Sequence, residues 1–218
     1  MKNLFVFLMM ILVAPVLRAQ PFQKVMQPEF NTRVFEAESN PLGGFYLIAH
    51  QGGANLHLSS AYLYRFDNQG DTLWSKQLPF ANQNGIEDML VLDNGDVLIT
   101  GTRWDCDINL LQFITRIDTN GLTIWYNQHY LYADAVEEKF IASKMTLTGD
   151  GNVYLFGGVY VFTIDMNTGE KVDEFQIPID FSETWYNNFY YHIYKNELYF
   201  AGANGVRGYQ LQTGQQTQ

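Results

Sequence analysis

Acidic turns are the first candidates for chemistry in this chain. Asp67, Asp71, Asp93, Asp96, Asp150 and Asp165 each lie in a run rich in Gly or Asn. A calcium loop needs oxygen ligands at alternate positions leading up to a Gly, and none of these runs has that spacing. The expected role is local, with an Asp oxygen accepting backbone amides of its own turn. Trp104-Asp105-Cys106-Asp107 places two carboxylates at i and i+2, on one side of an extended chain. A metal is conceivable there, but a solvated loop is the expected reading. Cys106 is the only cysteine. Its acidic flanks raise a thiol pKa, so a buried or half-buried free thiol is expected rather than a reactive one.

The other chemistry-bearing residues show no catalytic spacing. His50, His57, His129 and His192 lack metal-ligand intervals, although His50 and His57 flank a Gly-Gly turn. Glu137-Glu138 has no paired acid in view and reads as a solvated face. Glycan cleavage would need converging carboxylates, or an arginine cluster with a tyrosine nucleophile. Arg33, Arg65, Arg103, Arg116 and Arg207 are spread along the chain, and nothing in their spacing brings them together. Arg65 and Arg116 hold equivalent places in a repeat described below, which points to a structural role. No nucleophile elbow, P-loop or dinucleotide fingerprint occurs. No catalytic residue, metal or cofactor is assigned.

Aromatic clusters are more suggestive of binding. Trp125, Tyr126, His129, Tyr130 and Tyr132 form one group. Trp185, Tyr186, Phe189, Tyr190, Tyr191 and Tyr194 form another. Flat aromatic faces can stack on sugar rings or accept a protein loop. Trp104, Tyr130, Trp185 and Tyr186 are the candidates to face a ligand, although strand alternation would send many of these rings into a core.

A repeat must position all of these residues. A five-residue apolar strand occurs as Phe45-Tyr46-Leu47-Ile48-Ala49 and returns after 52 residues as Val97-Leu98-Ile99-Thr100-Gly101. It returns again as Val153-Tyr154-Leu155-Phe156-Gly157 and as Leu198-Tyr199-Phe200-Ala201-Gly202, at offsets of 56 and 45. A second strand follows each copy and ends in an Asp turn: Asp67 to Gly70, Asp118 to Gly121, Asp165 to Gly169, with a weaker fourth copy reaching Gly214. Gly supplies positive φ in such turns. Trp74 and Trp125 stand four residues beyond the first two turn glycines. Flanking strands are expected over Thr32 to Ala37, Ile86 to Leu92, Phe140 to Leu147 and Asn187 to Tyr194 before each copy. Strands over Thr72 to Gln77, Thr123 to Gln128 and Val172 to Ile177 are expected after three of them. Four short strands in about 50 residues cannot bury both faces of their sheet, so copies must stack as blades do. The fold predicted is all-β: a β-propeller of four-stranded antiparallel blades, about four of them, over approximately 30–78, 84–129, 139–178 and 186–218.

The start of the chain reads as a secretory signal peptide over 1–19. Lys2 precedes an apolar run from Leu4 to Ala14, Pro15 breaks it, and Ala19 offers a cleavage point before Gln20. That run is too short to span a bilayer, which takes about 18 or more apolar residues. No later stretch suffices either, so no transmembrane segment is expected in the mature chain. Of 13 basic residues, Lys2 and Arg18 lie in this segment, leaving 11 against 23 acidic ones. Such a surface repels phosphate backbones and anionic lipid, which argues against nucleic acid as partner.

The segments DNQGDTLW, DTNGLTIW and DMNTGEKVDEF resemble the Asp-Gly-Trp turn of quinoprotein-like, WD-repeat-like propellers, including the outer-membrane assembly propeller lipoproteins. They are more similar still to the Trp-bearing repeats of exported bacterial propellers, many of which carry a sorting domain for type IX secretion. The resemblance covers most of residues 30–218. It implies that Trp74 and Trp125 dock between neighbouring blades, above turns built on Asp67, Asp118, Asp165, Gly70, Gly121 and Gly169. The third copy departs from the pattern, with Asp173 at the Trp position and Phe175 two residues on. DNQGDTLW also resembles the sialidase Asp-box, but its spacing is off by one residue in two places. The fourth copy stops in mid-repeat, so the sequence is expected to be a fragment, or else closed by a strand near Phe22 to Met26. The expected function is a non-catalytic exported module, binding protein or glycan at the cell surface or outside the cell. A carbohydrate-active propeller is the alternative.

Overall fold

A computed structural model describes residues 32–51, 60–78, 84–104, 110–130, 143–148, 150–157, 160–176, 190–194, 197–202 and 205–210. They form fifteen strands, with no helix among the described residues. The first sheet contains β1 (Thr32–Ser39), β2 (Phe45–Gln51), β3 (Ser60–Phe66) and β4 (Thr72–Gln77). The second contains β5 (Asn84–Val91), β6 (Val97–Trp104), β7 (Leu110–Ile117) and β8 (Thr123–Tyr130). The third contains β9 (Ser143–Leu147), β10 (Asn152–Gly157), β11 (Tyr160–Asp165) and β12 (Lys171–Gln176). The fourth has three described strands, β13 (Tyr190–Tyr194), β14 (Glu197–Gly202) and β15 (Gly205–Gln210). Each sheet is an antiparallel meander in chain order. The four recurrent apolar segments are therefore the second strands of four separate sheets, as blades require. The segments 1–31 and 211–218 lie outside the described residues, and with them the signal peptide and the fourth turn.

Alternation gives each blade two apolar faces. Tyr46, Ile48 and Leu63 from one face of the first sheet pack with Met89, Val97, Ile99, Phe113 and Ile117 of the second. Leu98 and Ile114, on the reverse face of the second sheet, pack with Met145, Val153, Leu155, Phe162 and Ile164 of the third. Phe156 and Val161 then meet Leu198 and Tyr209 of the fourth. Full burial of one such side chain contributes about 1.5–3 kcal/mol, so the stacking of sheets, rather than any single sheet, carries the stability.

One irregularity recurs that the sequence did not announce. The register slips between Arg65 and Phe66, between Arg116 and Ile117, and between Thr163 and Ile164. The unpaired residues on the outer strands are Leu73, Ile124 and Val172. A bulge adds twist and turns its extra residue off the ladder. All three residues are accordingly about half exposed or more, at 59%, 48% and 58%.

Candidate functional site

The Asp turns are closed by their own carboxylates. Asp67 Oδ1 accepts the amides of Gln69 and Asp71 at 2.9 and 2.7 Å. Asp118 Oδ1 accepts those of Asn120 and Leu122 at 2.9 and 2.7 Å. Asp165 Oδ1 accepts those of Asn167 and Thr168 at 2.7 and 3.0 Å. Gly70, Gly121 and Gly169 complete the turns at φ of 77°, 84° and 74°. These oxygens accept backbone amides, and among the described residues no group of three or more His, Cys, Asp or Glu could hold a metal ion.

The turns receive tryptophans. Trp74 donates its indole N–H to the Thr119 carbonyl of the next sheet at 2.9 Å, and Trp125 donates to the Met166 carbonyl at 3.1 Å. Two residues further along each outer strand, a second donor clasps the same turn. Lys76 Nζ bonds the Gly121 carbonyl at 2.7 Å, and Asn127 Nδ2 bonds the Thr168 carbonyl at 3.2 Å. Burial in this junction lowers the Lys76 pKa, with Asp118 opposing. Lys76 and Asn127 escaped the sequence reading because their types differ; only their common spacing from a Trp marks them. In the third blade Asp173 stands opposite Thr163, where Trp74 and Trp125 face Arg65 and Arg116. Phe175, at the place of Lys76 and Asn127, packs edge-on to Tyr154 in the third junction core.

Arg65 and Arg116 are both structural, with different partners. Arg65 donates to the carbonyls of Gly43 and Phe66 and lies 4.9 Å above the Tyr46 ring. Arg116 grips Asp96 Oδ2 through Nε at 3.0 Å and Nη2 at 2.7 Å. Its Nη1 donates at 2.8 Å to the Met166 carbonyl, the acceptor also used by Trp125. Asn40 and Tyr46 converge in the same way on the Gly95 carbonyl, at 3.2 and 2.8 Å.

A second polar row runs along the first strands of the blades. Asp88 accepts Lys144 Nζ at 2.6 Å and the Met145 amide at 2.7 Å. Burial raises the Asp88 pKa, and the bonds to Lys144 and the backbone amides work against it. His129 stacks on Phe162, centroids 5.9 Å apart, and burial with nearby Lys171 lowers its pKa. His50 meets Phe35 edge-on. The side chains of Trp104, Tyr130, Trp185 and Tyr186 lie outside the described residues, as do Cys106, Asp105, Asp107, Glu137 and Glu138, so no convergent mouth can be assembled from them.

The stacked sheets and docked tryptophans define the class: an all-β protein of propeller blades. No family model matches the chain, and no curated protein matches it. Among solved structures it is similar to BamB from Moraxella catarrhalis, at 13% identity and a TM-score of 0.46, over 86% of this chain and 67% of that one. It is also similar to puromycin hydrolase, at 13% identity and a TM-score of 0.46, over 84% of this chain and 28% of that one. The chain thus spans less than a third of the length of the hydrolase.

Proposed function

We propose that this chain is an exported, non-catalytic propeller module that binds a protein partner outside the cytoplasm. The carrying observation is how its reactive groups are engaged. Asp67, Asp118 and Asp165 close turns, Asp96 holds Arg116, and Asp88 holds Lys144. Each of these five acids is committed to holding a turn or a blade. The signal-like start, from Lys2 to Ala19, supports export. The Trp-bearing turns support kinship with exported bacterial propellers. A stack of blades joined by loops suits recognition.

The test has two arms. Intact protein is expressed in an exporting bacterial host, and its mature terminus is read by mass spectrometry, with Gln20 expected. The purified protein is then cross-linked to surface and periplasmic fractions, tested on glycan arrays, and assayed against chromogenic glycosides, esters and peptides. Saturable protein binding without turnover is expected. Hydrolysis lost on replacing a single acid would overturn the reading. Glycan binding without hydrolysis would replace the protein partner with a sugar.

A further inference from the structure

Glu36, Asp88 and Lys144 occupy one repeat position. They pair with Ile48, Thr100 and Phe156 on the adjacent strands, which are separated by the repeat offsets of 52 and 56 residues. Strand β5 packs against β1 on one side and β9 on the other, so the three side chains form a row across two blade junctions. Asp88 reaches the third blade through Lys144 and through the Met145 amide. Lys144 is further held by the Glu87 carbonyl at 3.2 Å. One blade earlier the Met89 amide lies near the Glu36 carboxyl and acts to lower its pKa. Met89 is the repeat equivalent of Met145. The recurrence is incomplete, because Glu36 Oε2 is buried with no hydrogen-bond partner among the described residues. Lys144, the cation of the row, is bound to Asp88.

We propose that Glu36 is a proton-operated latch between the first two blades. Protonated, it lets β1 seat against β5. Ionised, it sets a second carboxylate beside Asp88 with one lysine to serve both, and β1 loosens. Among the described residues, the charged groups facing Glu36 are Asp88 and Lys144 from the other sheets and Glu38 on its own strand. Burial, then Asp88, raises the Glu36 pKa to about 7, with Glu38 adding and Lys144 and the Met89 amide opposing. When β1 opens, the pKa returns to the ordinary 4.5. Opening therefore sheds a proton between those two values, and becomes easier as pH rises through that window. Above the upper value both states are ionised and the dependence ends.

Hydrogen exchange of the β1 amides in the full chain, corrected for intrinsic rates, tests this between about pH 5 and 8.5. Protection should fall by up to about tenfold per pH unit below neutrality and then level off. Glu36→Gln, which cannot ionise, should show no such fall. Protection independent of pH, or an equal fall in E36Q, overturns the latch. Should E36Q fail to fold, isotope-edited infrared spectroscopy of the natural chain reads the carboxyl directly. A midpoint near 7 upholds the proposal, and one near 4.5 overturns it.

Discussion

Trp125 lies so close to Gly169 that a Cβ added to the glycine would stand 2.5 Å from the indole Cε3. The glycine of the third turn thus serves two ends: it adopts φ of +74°, and it leaves room for the ring from the preceding blade. Gly151 is the natural control, at φ +88° with nothing within 4 Å of the same added atom. Gly151→Ala should cost about 1–2 kcal/mol for left-handed backbone alone. Gly169→Ala should cost about 1–3 kcal/mol more, through overpacking against Trp125. Urea denaturation checks both, with a shift in midpoint at unchanged slope.

The tryptophans allow packing and hydrogen bonding to be separated. Trp74→Phe keeps most of the apolar contact but leaves the Thr119 carbonyl without its 2.9 Å donor. The expected loss is about 0.5–1.5 kcal/mol. Trp74→Ala also removes the ring and should cost about 3–5 kcal/mol. Equal losses in the two variants would show that the N–H, rather than the ring, makes the junction. Thermal or urea unfolding distinguishes them.

Arg65 and Arg116 share a repeat position but not an energetic role. Arg116 is paired with Asp96, side-chain exposures 15% and 9%, so Arg116→Met leaves a buried carboxylate without its counter-charge and with only the Asn94 amide at 2.9 Å on the same oxygen. Breaking such a pair from one side costs about 3–5 kcal/mol. Arg65 bonds neutral carbonyls, and its removal leaves no charge unpaired. Arg65→Met should therefore cost less, about 1–3 kcal/mol. The double variant Arg116→Met with Asp96→Leu should recover much of the loss, and a double-mutant cycle measures how much.

Architecture was legible because it is written in period and punctuation. Alternating apolar runs and Asp-to-Gly turns repeat at nearly constant offsets, and each copy maps to one sheet. The bulges at Leu73, Ile124 and Val172 were not legible, because a slipped register changes pairing without changing residue type. Nor was the row of Glu36, Asp88 and Lys144. Acid, acid and base at one repeat position look like unrelated surface residues until stacked sheets bring them together. Trp74 and Trp125 were visible as a motif, whereas their partners Lys76 and Asn127 differ in chemistry and share only a position. The absent third Trp was visible too, but what replaces it depended on seeing Phe175 packed beside Tyr154.

His129 makes the second blade junction sensitive to acid. Its ring stacks on Phe162, whose other neighbours include Lys171, 5.3 Å from the ring centroid. Burial first, and Lys171 second, lower its pKa below the ordinary 6.5. The unfolded chain therefore takes up the proton before the folded one as pH falls. The stability that His129 lends is complete above about 6.5 and declines as pH drops below that value towards the folded pKa. Glu36 acts with the opposite slope over part of this range, so the stability of the natural chain alone would mix the two. The difference in unfolding free energy between the natural chain and His129→Gln isolates the histidine. That difference should be flat from about pH 7 upward and shrink on acidification, as the natural chain loses its advantage. A difference constant down to about pH 5 would mean that the imidazole takes up protons equally in the folded and unfolded chains.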